Sequence, residues 1–318
     1  MKVNILLSTY NGEKYVREQV ESIQKQSFTD WNLLIRDDGS SDNTAEIIRS
    51  LATQDERIRF INDGNVTNVG VIRSFFELLT YEKADYYLFC DQDDYWLEDK
   101  VRAQVEEARQ HPQHIPHMNY MDPVVVDANL KTLNPSMIRS QSGHANTELV
   151  QELTENSVTG GVALINHALA EKWVNVSDNI IMHDWFLALC ATATGTLTFI
   201  DKPGELYRQH EANVLGARTW SKKFATFSNP CALIKKNWWL ITFSQKQAQY
   251  VLEQERENIS QENQRLMHAY IHVLEQPFLQ RLCIIKRFQL RKNKFLTSVF
   301  FWILIATRWG YGHGKEEK

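Results

Sequence analysis

The sequence contains few cysteines, and none of them lies in a metal-binding or disulfide pattern. The four cysteines in 318 residues are far apart and form no CxxC pair: Cys90, Cys190, Cys231 and Cys283. This spacing argues against a structural zinc site and a disulfide scaffold, and it fits a reducing compartment. We expect all four to be buried thiols.

The sequence also lacks long apolar runs, repeats and low-complexity tracts. The longest apolar stretch of the C-terminal tail, residues 299–306, falls well short of the roughly 20 residues that cross a bilayer. The apolar run at residues 3–8 is too short for a signal peptide. With 43% hydrophobic and 23% charged residues, a disordered or collagen-like chain is excluded. We expect a folded, cytoplasmic protein.

The tail carries net positive charge, whereas the rest of the chain is net negative. The net charge is −4, yet residues 277–315 hold eight Lys or Arg and no Asp or Glu, which leaves about −12 on the rest. Positive charge confined to one end beside an apolar stretch is not typical of a nucleic-acid-binding face. The sequence therefore predicts no nucleic-acid partner, and a tail whose surface differs from that of the body.

Short apolar segments alternate with segments of helical period over the first 110 residues. We predict strands at 3–8, 33–36, 57–62 and 86–90, and helices at 13–26, from 43 onward and at 71–81. Glu46 lies three residues after Asn43, which is the spacing of a capping box. This order predicts an α/β fold with a mostly parallel sheet flanked by helices.

The remainder of the chain is less regular and then helical. We predict a strand at 124–127, a loop up to 147, a helix at 183–193 and helical structure over 220–276. The last segment has heptad-spaced apolar residues, but Glu255 and Glu262 between them argue against a coiled coil. We divide the chain into a catalytic domain, 1–215, with halves 1–117 and 118–215, and a helical C-terminal region, 216–318.

Acidic residues follow two of the predicted strands. Asp37 and Asp38 end the second strand, and Asp91, Asp93 and Asp94 follow the fourth. In open α/β sheets the ligand crevice lies outside the carboxyl ends of the strands, so both groups point to one site. Carboxylates are hard ligands suited to Mg²⁺ or Mn²⁺, and such an ion would also attract the oxygens of a diphosphate.

Four motifs occur in a fixed order, namely STYNG at 8–12, DDGSSD at 37–42, NVG at 68–70 and DQDD at 91–94. In this order the sequence resembles the nucleotide-sugar domain of family 2 glycosyltransferases. The resemblance continues through TGG at 159–161, HDW at 183–185 and YRQH at 207–210. It implies a GT-A type fold and inversion of the anomeric centre of a metal-bound nucleoside diphosphate sugar.

The resemblance also assigns roles to residues. Asp184 would be the catalytic base, although the family often has Glu before this Asp where the chain has His183, and Asp184 could instead cap a helix. Asp93 and His210 would hold the divalent metal, with a purely structural role as the alternative for His210. Residues that would line the nucleotide-sugar pocket are Thr9, Tyr10, Asp38, Arg73, Asp91, Gly160 and Gly161.

Several pocket residues have simpler explanations. Thr9 and Tyr10 could merely shape a loop, Asp38 could be a turn residue, and Arg73 could be an ordinary exposed arginine. Asp122 and Asp127 lie where their carboxylates could bind the hydroxyl groups of the sugar.

The tail combines basic and apolar residues. Six basic residues between 281 and 294 precede the apolar segment 295–306, and Trp302, Trp309 and Tyr311 suit the headgroup level of a membrane. This pattern predicts a helix that lies in the interface of the cytoplasmic membrane. The alternatives are docking into the protein's own core or into a second copy, which would make a homodimer through the C-terminal helices.

Together these features predict a glycosyltransferase that acts on a membrane-linked, polyprenyl-diphosphate saccharide in surface-polysaccharide synthesis. The residues of its motifs resemble those of bacterial rhamnosyltransferases most, which implies dTDP-β-L-rhamnose as the donor. A UDP-hexose donor and a non-catalytic binding module remain the alternatives, and the intact Asp93 and Asp184 argue against the second.

Overall fold

The computed structural model describes residues 1–210 and 230–314. Within them one nine-stranded sheet has the order β3-β2-β1-β4-β8-β6-β9-β5, with β7 paired to β6. Strands β3, β2, β1 and β4 are mutually parallel, and β8 runs antiparallel to β4. The strands are β1 Val3–Thr9, β2 Asn32–Asp37, β3 Ile58–Phe60, β4 Tyr86–Cys90, β5 Tyr95–Trp96, β6 His117–Val126, β7 Thr132–Asn134, β8 Ala163–Asn166 and β9 Thr196–Arg208.

Helices cover both faces of the sheet. They are α1 Val16–Gln24, α2 Thr44–Gln54, α3 Val71–Tyr81, α4 Lys100–Ala108, α5 Leu149–Thr154, α6 His167–Ala170, α7 His183–Thr194, α8 Pro230–Glu255, α9 Gln261–Ile271, α10 Phe278–Arg287 and α11 Phe295–Thr307. Short helical turns span Ile138–Ser142, Gly160–Val162, Val273–Glu275 and Tyr311–Gly314.

The parallel strands are buried on both faces, as the continuous apolar sequence of β1 and β4 predicts. Ile5 and Leu7 of β1 belong to the apolar cluster around α1 and α2. Leu6, between them, points to the opposite cluster, which includes Phe75 and Leu78 of α3. The period of two along a strand thus supplies both cores.

Several predicted boundaries were wrong. The capping box at Asn43 is absent, because the Asn43 side chain instead donates to Glu13 at 2.8 Å. The third strand is limited to Ile58–Phe60, and the predicted loop before residue 147 contains β7 and the turn Ile138–Ser142. The long helix predicted over 220–276 is interrupted between α8 and α9, and its residues 220–229 lie outside the described residues.

The last two helices pack partly against the body. Phe301, Leu304 and Ile305 of α11 are fully buried in the same apolar cluster as Leu6. Trp302, which we expected at a membrane surface, is half-buried and donates to the Leu290 carbonyl at 2.5 Å. One face of α11 therefore belongs to the protein's own core, and the predicted domain boundary at 215 falls outside the described residues.

Two of the four cysteines are buried and two are exposed, whereas the sequence predicted four buried thiols. Cys90 and Cys190 are buried as expected, whereas Cys231 and Cys283 are exposed, because they lie on outward faces of α8 and α10. In the ranges 1–210 and 230–314, no helix combines the length and hydropathy needed to cross a bilayer.

Candidate active site

The topology brings the motif-bearing segments to one edge of the sheet. The carboxyl ends of β1, β2 and β4 meet there because these strands are parallel. Strand β8 is antiparallel to β4, so the turn Gly160–Val162 that precedes it lies at the same edge. Strand β9 is parallel to β6 and antiparallel to β5, and it ends there beside residues 91–94.

Two side chains link the loops at this edge. The Asn11 side chain accepts from the Ser41 N–H at 2.8 Å, which joins the loop after β1 to the loop after β2. Gln92 accepts from the Tyr10 N–H at 2.8 Å and donates to the Tyr10 carbonyl at 2.9 Å. The loop after β1 is therefore fixed to both acidic motifs, and Asn11 takes a left-handed conformation with φ 49° in the process.

Thr9 and Asp38 have partners within the protein. The Thr9 hydroxyl is buried and donates to the Asp37 carboxylate at 2.9 Å. The Asp38 carboxylate pairs with Arg36 at 2.8 Å and accepts from the N–H groups of Val69 and Gly70. The bonds of Asp38 join the NVG motif to the end of β2. Contact of Thr9 and Asp38 with the nucleobase of a donor remains a prediction.

Tyr10 and Arg73 are the exposed members of the predicted pocket. Tyr10 is 52% exposed at the tip of the loop after β1. Arg73 lies on the first turn of α3 and pairs with Glu77 at 3.3 Å. Both side chains border the edge where the acidic motifs lie, and their contact with a donor is likewise a prediction.

Asp93 and His210 are 117 residues apart in sequence and in direct contact. His210 Nε2 lies 2.7 Å from Asp93 Oδ2, and the Tyr15 ring stacks on the imidazole at 5.1 Å between centroids. A divalent ion that bound both atoms would hold them about 3 Å apart, since each bond is roughly 2.1 Å long. The pair therefore fits a cation without large movement.

The negative charge of the carboxylates around Asp93 and His210 is not balanced by neighbouring positive side chains of residues 1–210 and 230–314. Burial, followed by the charge of Asp93, raises the pKa of Asp91 to about 8. Burial, followed by the charge of Glu205, raises the pKa of Asp94 well above its ordinary value. Within the described part of the chain, Asp94 Oδ2 and Glu205 Oε1 are buried without a hydrogen-bond partner. A bound cation would compensate this accumulated negative charge.

Asp184 lies across the site on the first turn of α7. It is not the helix cap, which is Met182, so the capping alternative is excluded. Burial raises the pKa of Asp184 to about 6, while hydrogen bonds from the N–H groups of Trp185 and Gly160 limit the rise. The charge of Asp184 also raises the pKa of Asp91, which indicates that the two carboxylates lie near each other.

Gly160 and Gly161 are glycines because their surroundings leave no room. A Cβ on Gly160 would lie 2.9 Å from His183 Nε2, and a Cβ on Gly161 would lie 2.9 Å from Glu205 Oε1. His183 itself is buried against the rings of Phe75 and Phe89. The turn is therefore a closely packed wall of the site rather than an open loop.

Asp122 and Asp127, which we expected near sugar hydroxyls, have hydrogen-bond partners within the protein. The Asp122 carboxylate accepts from Ser136 and from the Ile138 N–H at 3.0 Å. Asp127 accepts from the N–H groups of Asn129 and Lys131 in the turn between β6 and β7. Both side chains stabilise loops, and a contact of either carboxylate with a sugar hydroxyl remains a prediction.

A second group of possible metal ligands lies at the opposite edge of the sheet. Glu107 contacts His111 Nε2 at 2.9 Å and His117 Nε2 at 3.0 Å. Its two oxygens also accept from Thr198 at 2.6 Å and Asn119 at 2.7 Å. Because these hydrogen bonds already satisfy the carboxylate, the group is a structural network at the start of β6 and β9.

Several residues of the site were not predicted. Arg208 donates to the Asp93 carbonyl at 2.8 Å and forms an ion pair with Glu18. Its guanidinium carbon lies 4.5 Å from the centroid of the Tyr15 ring. Arg208 lies in the YRQH motif at 207–210, so the motif could have indicated that it belongs to the site. Lys100 and Glu205 form a fully buried ion pair at 3.0 Å, and nothing in the local pattern distinguished them from surface charges.

Comparison with protein families matches residues 4–173 to Glycosyl transferase family 2. The dTDP-rhamnosyl transferase RfbG of Shigella flexneri is 27% identical over 245 residues, which are 73% of this chain and 80% of that protein. The E. coli UDP-Glc:alpha-D-GlcNAc-diphosphoundecaprenol beta-1,3-glucosyltransferase WfgD is 31% identical over 103 residues, 32% of this chain and 39% of its own length.

Solved structures agree on the fold. Residues 1–349 of S. aureus TarS in complex with UDP superpose with a TM-score of 0.51 at 15% identity, covering 100% of this chain and 93% of that one. The mannosyltransferase PcManGT of Pyrobaculum calidifontis, in complex with GDP-Man and Mn²⁺, gives a TM-score of 0.50 at 12% identity, covering 98% and 88%. The GT-A type fold expected from the sequence is confirmed.

Proposed function

This chain belongs to glycosyl transferase family 2, and from that premise we propose that it is a metal-dependent inverting transferase whose base is Asp184. The observation that carries the proposal is the contact of Asp93 with His210 at the carboxyl edge of the sheet, where Asp184 lies beside the Gly160–Val162 turn. A cation held by Asp93 and His210 would neutralise the diphosphate of the donor.

The protein's own residues supply the proton transfer. The acceptor hydroxyl oxygen attacks the anomeric carbon as the bond from that carbon to the diphosphate breaks, and the nucleoside diphosphate leaves with the electron pair. The hydroxyl proton passes to the Asp184 carboxylate. The pKa of about 6 leaves most of Asp184 ionised at neutral pH, yet makes it more basic than an ordinary aspartate.

We propose dTDP-β-L-rhamnose as the donor and an α-L-rhamnoside as the product. Support comes from the similarity to the Shigella rhamnosyl transferase over 73% of the chain. A UDP-hexose donor is the second candidate, because the 31% identical E. coli relative is named for UDP-Glc. The exposed Tyr10, the Asp38 segment and Arg73 would contact the nucleotide in either case.

We propose a polyprenyl-diphosphate-linked saccharide as the acceptor, and the cytoplasmic membrane surface as the place of reaction. The helices α10 and α11 leave large apolar side chains exposed, including Leu279 at 72%, Phe295 at 74% and Leu296 at 80%. Lys286, Arg287 and Arg291 are exposed nearby in sequence, whereas Arg281 and Lys292 are buried. Apolar side chains beside exposed cations suit an anionic membrane surface.

The donor is tested with purified protein and a panel of nucleotide sugars, each with Mn²⁺ and with EDTA. We expect release of nucleoside diphosphate from dTDP-β-L-rhamnose, loss of that release in EDTA, and a higher Mn²⁺ requirement in Asp93→Asn. Release from a UDP-hexose instead would assign the second donor. Equal release in Mn²⁺ and EDTA would contradict the metal role of Asp93 and His210.

A further inference from the structure

The turn Gly160–Val162 is held from below by one face of α4. Lys100 Nζ donates to the Gly161 carbonyl, and Gln104 Nε2, one turn further along the helix, donates to the Val162 carbonyl at 2.8 Å. Residues at positions i and i+4 lie on the same side of a helix, so the two donors reach successive carbonyls. On its other side the turn packs against the first turn of α7, where an ideal Cβ on Gly160 would lie 2.9 Å from His183 Nε2 and 3.9 Å from Asp184 Cβ.

Lys100 is fully enclosed and fully partnered. Its side chain has no exposed surface, and Nζ lies 3.0 Å from Glu205 Oε2 and 3.6 Å from the centroid of the Trp96 ring. Together with the Gly161 carbonyl, these contacts occupy the three N–H donors of the ammonium group. An ion pair buried this deeply gains little stability over an apolar pair, so its retention calls for another reason.

Glu205 limits the positions that the backbone of Gly161 can take. Its carboxylate oxygens lie where a side chain on Gly161 would begin, at 2.9 and 3.0 Å from the ideal Cβ position. Trp96 and Glu205 are neighbours in the β5–β9 ladder, so the carboxylate is fixed by the sheet. The carbonyl of residue 161 therefore has one position in which it meets the ammonium group and avoids the carboxylate.

From these contacts we infer that Lys100, with Glu205, is a positioning residue for glycosyl transfer: it fixes the Gly160–Gly161 turn, which packs against the first turn of α7 and so sets the position of the Asp184 carboxylate. This inference rests on the proposed role of Asp184 as base. Lys100 itself touches neither donor nor acceptor, since it has no exposed surface.

The test uses a double variant, Lys100→Met with Glu205→Leu, because Lys100→Met alone would leave a buried, unpaired carboxylate. Gln104→Met is a milder second variant that removes the hydrogen bonds from Gln104 Nε2 to the Val162 carbonyl and to Asn119 Oδ1 and leaves the Lys100–Glu205 pair in place. The matched control is Lys172→Met with Glu255→Leu, which removes an ion pair of 2.7 Å remote from the site. Release of nucleoside diphosphate is measured from pH 5 to 8.5 with the donor that the panel identifies.

We expect kcat of the double variant to fall about 10- to 100-fold with the donor KM nearly unchanged, because a displaced catalytic group costs rate rather than donor binding. Loss of the Gly160 hydrogen bond also moves the acid limb of kcat upward by about 0.5 to 1 pH unit. Gln104→Met shows the same direction with a smaller effect, and the control shows neither change.

Two results overturn the inference and are distinguishable. If Asp184→Asn retains wild-type kcat, the base is wrong and the positioning role falls with it. If Asp184→Asn is inactive but the double variant keeps the wild-type acid limb and loses no more kcat than the control, Asp184 remains the base and the positioning role alone is wrong. Should the double variant not fold, the acid limb of Gln104→Met decides by the same criterion.

Discussion

At the scale of single residues, Asp184 is placed for reactivity at the expense of stability. Its pKa in the folded protein is raised by burial to about 6, above the ordinary value of 3.8. A carboxyl group whose pKa is higher in the folded than in the unfolded protein contributes its full stabilisation below about pH 4, and this contribution is lost as pH rises from about 4 to 6.

Asp184→Asn should therefore stabilise the unliganded protein at pH 7.5, where the buried charge is present, and have little effect at pH 4.5. We expect a rise in Tm of about 2 to 4 °C at the higher pH. Thermal unfolding at both pH values measures it. A Tm that is lower than wild type at pH 7.5 would mean that the carboxylate is stabilised by groups not yet identified.

The sequence predicted those site residues whose chemistry shows in a motif. Asp93 and His210 lie in separate motifs, and their contact follows from the fold that the motifs imply. Lys100 and Glu205 escaped prediction because a buried charge has the same letter as an exposed one, and only tertiary packing determines which it is. The hydrogen bond from Thr9 to Asp37 was missed for the same reason.

At the scale of elements, the turn Gly160–Val162 has little room for added side-chain atoms. A Cβ on Gly160 would lie 2.9 Å from His183 Nε2, and the His183 ring has no room to move because Phe75 and Phe89 pack against it at 4.3 and 4.8 Å. Overpacking of this kind costs roughly 1 to 3 kcal/mol.

We expect Gly160→Ala to lower the free energy of unfolding by that amount and to reduce kcat, because the displaced backbone carries the N–H that binds Asp184. Urea unfolding and nucleoside diphosphate release measure the two effects. Gly312→Ala, where an added Cβ meets nothing within 4 Å, is the control. Wild-type values for Gly160→Ala in both assays would show that the turn can shift freely.

Element types were more predictable than their ends. The helix expected at 183–193 is observed as His183–Thr194, because its apolar residues are continuous and a glycine follows. Helix α1 starts only at Val16, since residues 12–15 form a turn closed by the Gly12 carbonyl. Such ends depend on individual backbone hydrogen bonds, which the apolar pattern of the sequence does not reveal.

At the scale of the whole molecule, the C-terminal helices combine two roles that the sequence could not separate. Helix α11 is apolar around its circumference, so its pattern did not show which face meets the core. The structure buries Phe301 and Leu304 and leaves Phe295 and Leu296 exposed. Core docking and surface exposure thus occur in one helix.

Leu296→Glu should weaken binding to vesicles of anionic phospholipid several-fold without affecting folding, because this side chain is 80% exposed and would place a charge at the membrane. Co-sedimentation with vesicles measures binding, and Leu133→Glu, at another exposed apolar residue, is the control. Wild-type binding by Leu296→Glu would contradict membrane contact. A change from dimer to monomer without any vesicle binding would assign the surface to a second copy instead.

In the proposed reaction, Asp184 accepts the proton of the attacking hydroxyl while a cation bound by Asp93 and His210 holds the leaving group. Single-turnover release of nucleoside diphosphate by Asp184→Asn tests this most directly, with the exposed Asp178→Asn as control. We predict a rate at least about 100-fold below wild type for Asp184→Asn, with donor affinity retained, and a wild-type rate for the control. A rate for Asp184→Asn within a few-fold of wild type would contradict the claim.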